Sequence, residues 1–234
     1  ADVIRQAIAD DIDGFIAFAE EDASRALAAT TVPTVLLSGA TPELATRRLN
    51  LAIFVNDNEI IGRKGAEYFL SLGAFASFAF VPDPHGRDWS APREKSFCKT
   101  LAEAGHRCLV YRGDTEGLAA WLAKLPKPIA VMTPFDFLAR DVIDVCKKAN
   151  LSVPAQVAVI GVDNEEFICE GVRPMLSSVA PDFEGAGCQC VDILARLMRS
   201  PHRRPIVERF KSVTIGTRSS TRRSVRRDAE SIAA

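Results

Sequence analysis

The stretch Val157-Ala158-Val159-Ile160-Gly161-Val162-Asp163-Asn164-Glu165-Glu166 decides the fold. It opens on apolar residues without polar alternation, the pattern of a strand covered on both faces in a parallel sheet, and the strand ends on a carboxylate. Similar runs lie upstream at 14–18, 34–37, 52–55, 75–81, 107–111 and 129–132, and others follow at 176–179 and 206–215. Helical patterns of about ten to fifteen residues separate most of them. One carries Ile61, Gly65, Tyr68, Phe69 and Leu72 on a stripe, another Phe97, Leu101 and Ala104, a third Leu138, Val142, Val145, Cys146 and Ala149. This alternation predicts an α/β fold with Rossmann-like, doubly wound parallel sheets.

Punctuation supports the same layout. Ser90 ahead of Pro92, and Thr133-Pro134 ahead of Asp136, predict capped helix starts, the second as a capping box. Gly73 and Gly105 predict left-handed caps where helices end. A single late helix at 183–198, between two strands, suits a chain that returns to its first lobe and crosses back. The expected division is a first lobe from 1–73 and 180–203, a second from 74–179 and 204–217, and a linker at 218–234. Arg218, Arg222, Arg223, Arg226 and Arg227, set among Ser and Thr, read as that exposed linker.

At 234 residues, 47% hydrophobic and 25% charged, the chain can form two lobes and bury a large core. A net charge of -1 gives it no electrostatic reason to bind nucleic acid or an anionic membrane by itself. No apolar run nears the roughly 18 residues that span a bilayer, and no basic stretch leads into an apolar one as in a secretory leader. The six cysteines show no framework spacing and are expected as reduced thiols. With three histidines and no CxxC pair, the sequence argues against a zinc site.

Signals for catalysis are missing. No GxGxxG, GxxxxGK[ST] or GxSxG motif is present, and His85, His106 and His202 have no nearby nucleophile. Glu165-Glu166 reads as a solvated turn. The expectation is a binding protein without a cofactor, not an enzyme.

Three segments in order carry a resemblance. They are Phe54-Val55-Asn56-Asp57-Asn58 with Gly62; Gly86-Arg87-Asp88-Trp89-Ser90-Ala91-Pro92-Arg93-Glu94; and the 157–166 run, followed by Leu176-Ser177-Ser178-Val179 and Arg218-Ser219-Ser220-Thr221. From about residue 13 to 224 the chain resembles the two-lobed, periplasmic-binding-protein-like type I effector domain of the lactose/galactose repressor (LacI/GalR) superfamily. Trp89-x-x-x-Arg93-Glu94 and Gly161-Val162-Asp163-Asn164-Glu165-Glu166 are most similar to xylose-responsive transcription regulators, whose sensor precedes an AraC-type DNA-binding domain. The resemblance implies lobe closure on a pentose-like sugar, a cytoplasmic homodimer away from membranes, and DNA contact through a domain outside this chain. It also implies that the first strands of lobe one are missing ahead of Ala1. A solute-binding protein of a sugar transporter shares the fold and is the alternative.

A sugar site needs donors and acceptors just after strands, with a flat aromatic against the ring. By resemblance, Asp163 is an acceptor for sugar hydroxyls; otherwise it caps the helix after it. Arg93 is the central donor, since an Arg at a helix N-terminus opposes the dipole; otherwise it pairs at the surface with Glu94 or Asp88. Trp89 stacks on the sugar or packs. Asp136 matches the family's acidic position, although Phe135 stands where Asn is frequent, and a capping role explains it equally. Asp57 contacts ligand or holds its turn. Ser38, after the 34–37 strand, completes the candidate set.

Overall fold

A computed structural model describes residues 2–18, 26–27, 30–37, 49–114, 116–200 and 206–222. In chain order the elements are α1 (Asp2–Ala9), β1 (Phe15–Phe18), β2 (Thr34–Leu37), β3 (Leu51–Asn56), α2 (Asn58–Ser71), β4 (Ser77–Phe80), α3 (Ser90–Glu103), β5 (Cys108–Val110), α4 (Leu118–Lys124), β6 (Ile129–Met132), α5 (Asp136–Lys148), β7 (Val157–Val162), α6 (Glu166–Gly171), β8 (Ser177–Pro181), α7 (Phe183–Arg199), β9 (Ile206–Phe210) and β10 (Val213–Gly216). They form two compact units, one from residues up to 57 and from 181 to 212, the other from 58 to 180 and from 213 onward.

This division corrects the expected one at three places. Helix α2 belongs to the second unit, because Ile61, Ala66 and Phe69 pack with Phe78, Phe80 and Phe97. The expected strand at 206–215 is two strands. β9 pairs in parallel with β3 in the first unit, and β10 joins the second sheet beside β8. The supposed linker also begins later than 218, since Ser220 and Thr221 are buried. The Ser220 hydroxyl donates to the Val159 carbonyl at 2.7 Å and accepts from the Ser177 amide at 2.8 Å, so a polar segment is held inside by its hydroxyls. Arg223, Arg226 and Arg227 lie outside the described residues.

The first unit's sheet runs β1-β2-β3-β9, all parallel. Val35, Ala52 and Phe54 face α7 through Ala186, Cys190, Ile193 and Leu197, while Leu36, Leu51 and Ile53 face the other way. The second sheet runs β10-β8-β7-β6-β4-β5. Its strands show why alternation is absent from the sequence. Phe78, Phe80, Met132 and Ile160 face the α2 and α3 side, whereas Ala79, Val81, Val131 and Val159 face α4 and α5. A period-2 strand with a core on each face has no position left for a polar residue.

The thiols depart from expectation. Cys98 on α3 and Cys108 on β5 form a disulfide with Cα atoms 5.1 Å apart, while Cys146, Cys169, Cys188 and Cys190 are free. A separation of ten residues announces no pairing, and the two meet only because α3 and β5 lie side by side. Burial raises the Cys146 and Cys169 thiols to about 12 and also raises Cys190, which leaves exposed Cys188 as the reactive one. Native alkylation should therefore modify Cys188 first. The other three should react only after denaturation, and Cys98 and Cys108 only after reduction; peptide mass spectrometry reads each step.

Candidate functional site

The carboxyl edge of the second sheet gathers the loops after β4, β6 and β7. In an open α/β sheet these loops carry ligand sites, near the point where strand order reverses, here between β4 and β6. Four of the six candidate residues meet there: Trp89, Arg93, Asp136 and Asp163. Asp57 lies at the end of β3 in the first unit, with its amide donated to the Phe210 carbonyl at 2.8 Å. Ser38 lies outside the described residues.

Arg93 is the centre of the cluster. It occupies the first turn of α3, yet only 5% of its surface is exposed. Its Nε donates to Asn58 Oδ1 at 2.9 Å and its Nη1 to the Pro134 carbonyl, and Nη1 lies 3.9 Å from Asp163 Oδ1. The guanidinium stands 4.9 Å from the Trp89 ring centre, within cation–π range. Burial lowers its pKa, and Asp163 and Asp136 pull it back up. A surface pairing with Glu94 is not what forms, because Glu94 pairs with Arg112.

Asp163 follows β7 in a strained backbone. It has φ of 101° and Asn164 has φ of 56°, two successive non-glycine residues in left-handed conformations. Each costs on the order of 1 kcal/mol, so surrounding bonds must impose them. The Asp163 side chain keeps 37% of its surface exposed, and burial raises its pKa against the opposing pull of Arg93. It does not cap α6, whose cap residue is Glu165. Its carboxylate is the cluster's open acceptor, and Arg93 holds it in place.

Asp136 points elsewhere. It is 1% exposed; Oδ2 accepts the Glu165 amide at 2.8 Å and the Cys169 thiol at 3.4 Å, and Oδ1 accepts the Ser178 hydroxyl at 2.7 Å. Desolvation raises its pKa to about 6 despite those donors. Neither the expected Ser90 cap nor the expected capping box is formed. Phe135 is the cap residue of α5, and the Thr133 hydroxyl donates to its carbonyl at 2.9 Å. At α3, Trp89 is the cap residue, and Ser90 is the first helical residue, its hydroxyl accepting the Asp83 amide at 3.1 Å.

Trp89 meets Phe135 edge-on at 5.7 Å, and Arg87 lies 4.8 Å from its ring. Arg87 is fixed by two bonds of 2.9 Å to Asp83, which hold the Asp83 carboxyl below the usual range. Asn58, Arg87, Phe135 and Ser178 were not legible as site residues. The i,i+4 spacing of Asp83 and Arg87 was a signal, but it usually means a helix rather than a loop. A cavity of about 620 Å³ lies beside this cluster, lined by Val81, Tyr111, Leu118 and Val142 and rimmed by Asp83, Arg87 and Glu94. Its rim acids are already paired with Arg87 and Arg112, so the Arg93–Asp163 cluster has the stronger claim on a polar ligand.

Parallel-sheet α/β units, with a buried guanidinium facing a half-open carboxylate at a carboxyl edge, place the chain in the two-unit α/β class. The chain belongs to the periplasmic binding protein-like domain family, whose profile matches residues 66–221. It is 32% identical over 199 residues to the xylose operon regulatory protein of Escherichia coli (strain K12), covering 80% of this chain and 50% of that protein. The counterpart in Haemophilus influenzae is 25% identical over 225 residues, with 90% and 57% covered. The chain thus spans about half the length of the curated relatives it matches. Among solved structures, that of the xylose-binding transcription activator xylR superposes with a TM-score of 0.78 at 30% identity, covering 91% of this chain and 59% of that one. A LacI family transcriptional regulator from Enterococcus faecium with bound ribose shares the fold, with a TM-score of 0.72 at 21% identity over 94% of this chain and 82% of that one. No helix among the described residues is long and apolar enough to cross a membrane.

Proposed function

We propose that this chain is the ligand-sensing part of a sugar-responsive transcription regulator that takes a pentose of the xylose type. The observation that carries the reading is Arg93 held buried beside the half-open carboxylate of Asp163, a donor and an acceptor fixed at one edge. A sugar hydroxyl both donates and accepts, and charge-assisted bonds to such a pair give it orientation. Trp89 lines the same edge, with Arg87 and Arg93 over its ring. Similarity to xylose regulators supports a regulator over a transporter component. DNA read by a separate domain and assembly as a homodimer belong to the same proposal. Asp57 is proposed to hold the end of β3 against β9.

Calorimetry of the intact protein against a panel of pentoses and hexoses tests this. A pentose should bind with measurable heat, and silence across the whole panel sinks the reading. Asp163→Asn should weaken that binding at least about tenfold by removing the charge-assisted acceptor. Asn tolerates left-handed φ, so the melting free energy should stay within about 1 kcal/mol of wild type. Equal affinity in the variant removes Asp163 from the contact set.

A further inference from the structure

The loop that aims Asp163 is held in an unusual way. Its three successive amides each have a separate partner: Asp163 donates to the Val179 carbonyl at 2.9 Å, Asn164 to Ser178 Oγ at 3.0 Å and Glu165 to Asp136 Oδ2 at 2.8 Å. The last two acceptors are joined, since the Ser178 hydroxyl donates to Asp136 Oδ1 at 2.7 Å. Both are fully enclosed, Ser178 at 0% and Asp136 at 1% exposure, so neither reaches a ligand. Room for the carboxylate comes from Gly161, where a Cβ would collide with Asp136 Oδ1 and stand 3.1 Å from its Cα.

From this we infer that Asp136 and Ser178 are positioning residues for the sugar acceptor. Together they form a cradle that holds Asp163 and Asn164 in left-handed conformations and so presents the Asp163 carboxylate beside Arg93. The inference rests on the sugar reading above and specifies which enclosed groups set that site's geometry. The cradle needs acceptors rather than a charge. In Asp136→Asn, the side-chain oxygen can serve the Glu165 amide. Its NH2 can donate to Ser178 Oγ, whose own proton then turns to the Val179 carbonyl, already 3.3 Å away.

Four proteins are compared by calorimetry with D-xylose and by amide hydrogen exchange without ligand: wild type, Asp136→Asn, Asp136→Ala and Ser178→Ala. Asp136→Ala should lower affinity about tenfold or more and speed exchange at Glu165. Ser178→Ala should also weaken binding and speed exchange at Asn164. Asp136→Asn should bind within about threefold of wild type, rescuing the alanine variant. Should Asp136→Ala fail to fold, Ser178→Ala and Asp136→Asn decide. A folded Asp136→Asn that loses binding as severely as alanine, or a Ser178→Ala that binds and exchanges like wild type, overturns the inference. Wild type that binds no sugar defeats the sugar reading instead, and exchange at Asn164 and Glu165 then still tests the cradle.

Discussion

Alanine at position 62 is expected to destabilise the second unit by about 3 kcal/mol and lower the melting temperature by roughly 6–10 °C. The reason is that helices α2 and α3 touch backbone to backbone at Gly62. A Cβ there would collide with the Arg93 carbonyl oxygen and stand 2.9 Å from the Arg93 carbonyl carbon and 3.0 Å from the Phe97 amide nitrogen. A side chain could swing aside, but backbone atoms inside a helical hydrogen-bond ladder move only if the helix moves. Displacing α3 displaces Arg93 and the preceding Trp89, so pentose affinity should fall with stability. Gly73→Ala is the control. Gly73 has φ of 98° and no atom within 4 Å of a would-be Cβ, so only the left-handed backbone opposes alanine, at about 1 kcal/mol. Chemical denaturation of both variants reads the difference, and Gly62→Ala no worse than Gly73→Ala would refute the close-contact account.

Gly62 also shows what the sequence could and could not convey. It stands in a legible helix and entered the reading only with the Phe54–Asn58 segment, because a close approach depends on a partner about 30 residues away. The strands were legible for the opposite reason: two-sided burial leaves a local apolar mark, and Val157–Val162, Ile129–Met132 and Thr34–Leu37 carry it. The crossing between units was misread because Ile206 to Ile215 is one apolar-rich run. Nothing local in Lys211-Ser212 announces that the two halves enter different sheets. The tail was misread because Arg, Ser and Thr look solvated until Ser220 and Thr221 find partners in Ser177, Val159 and Tyr68.

The candidate site was legible where chemistry and position coincide. Arg93 opens a helix against its dipole, and Asp163 ends the strongest strand; both stand out locally, and the fold sets them 3.9 Å apart. Asp136 was recognised as a residue but not for what it touches, because its partners lie 29 to 42 positions away. Ser178 belongs to the Leu176–Val179 segment of the resemblance, but nothing local marked it as holding the site. Acceptors that hold a loop from behind differ in no local feature from ordinary core hydroxyls.

Arg93→Leu should abolish pentose binding, with a loss of at least about 100-fold, and should also destabilise the second unit by about 2–3 kcal/mol. The stability loss arises mainly from Asn58 Oδ1 and the Pro134 carbonyl, which lose their donor inside the protein. The ion pair with Asp163 adds less, because that carboxylate is more than a third exposed and water screens it. The binding loss has a different origin. Without the guanidinium, Asp163 has no neutralising partner when a ligand displaces its water, and the sugar loses its cationic donor. Arg93→Lys separates the two effects. An ammonium keeps the charge but lacks the planar fork that reaches Asn58 and Pro134 together, and it stacks less well on Trp89. It should therefore restore part of the stability while binding pentose at least about tenfold more weakly than wild type. Thermal melts and calorimetry on the three proteins measure both quantities. If leucine binds pentose like wild type, Arg93 is only a strut between α2 and the loop after β6, and the donor must be sought elsewhere on this edge.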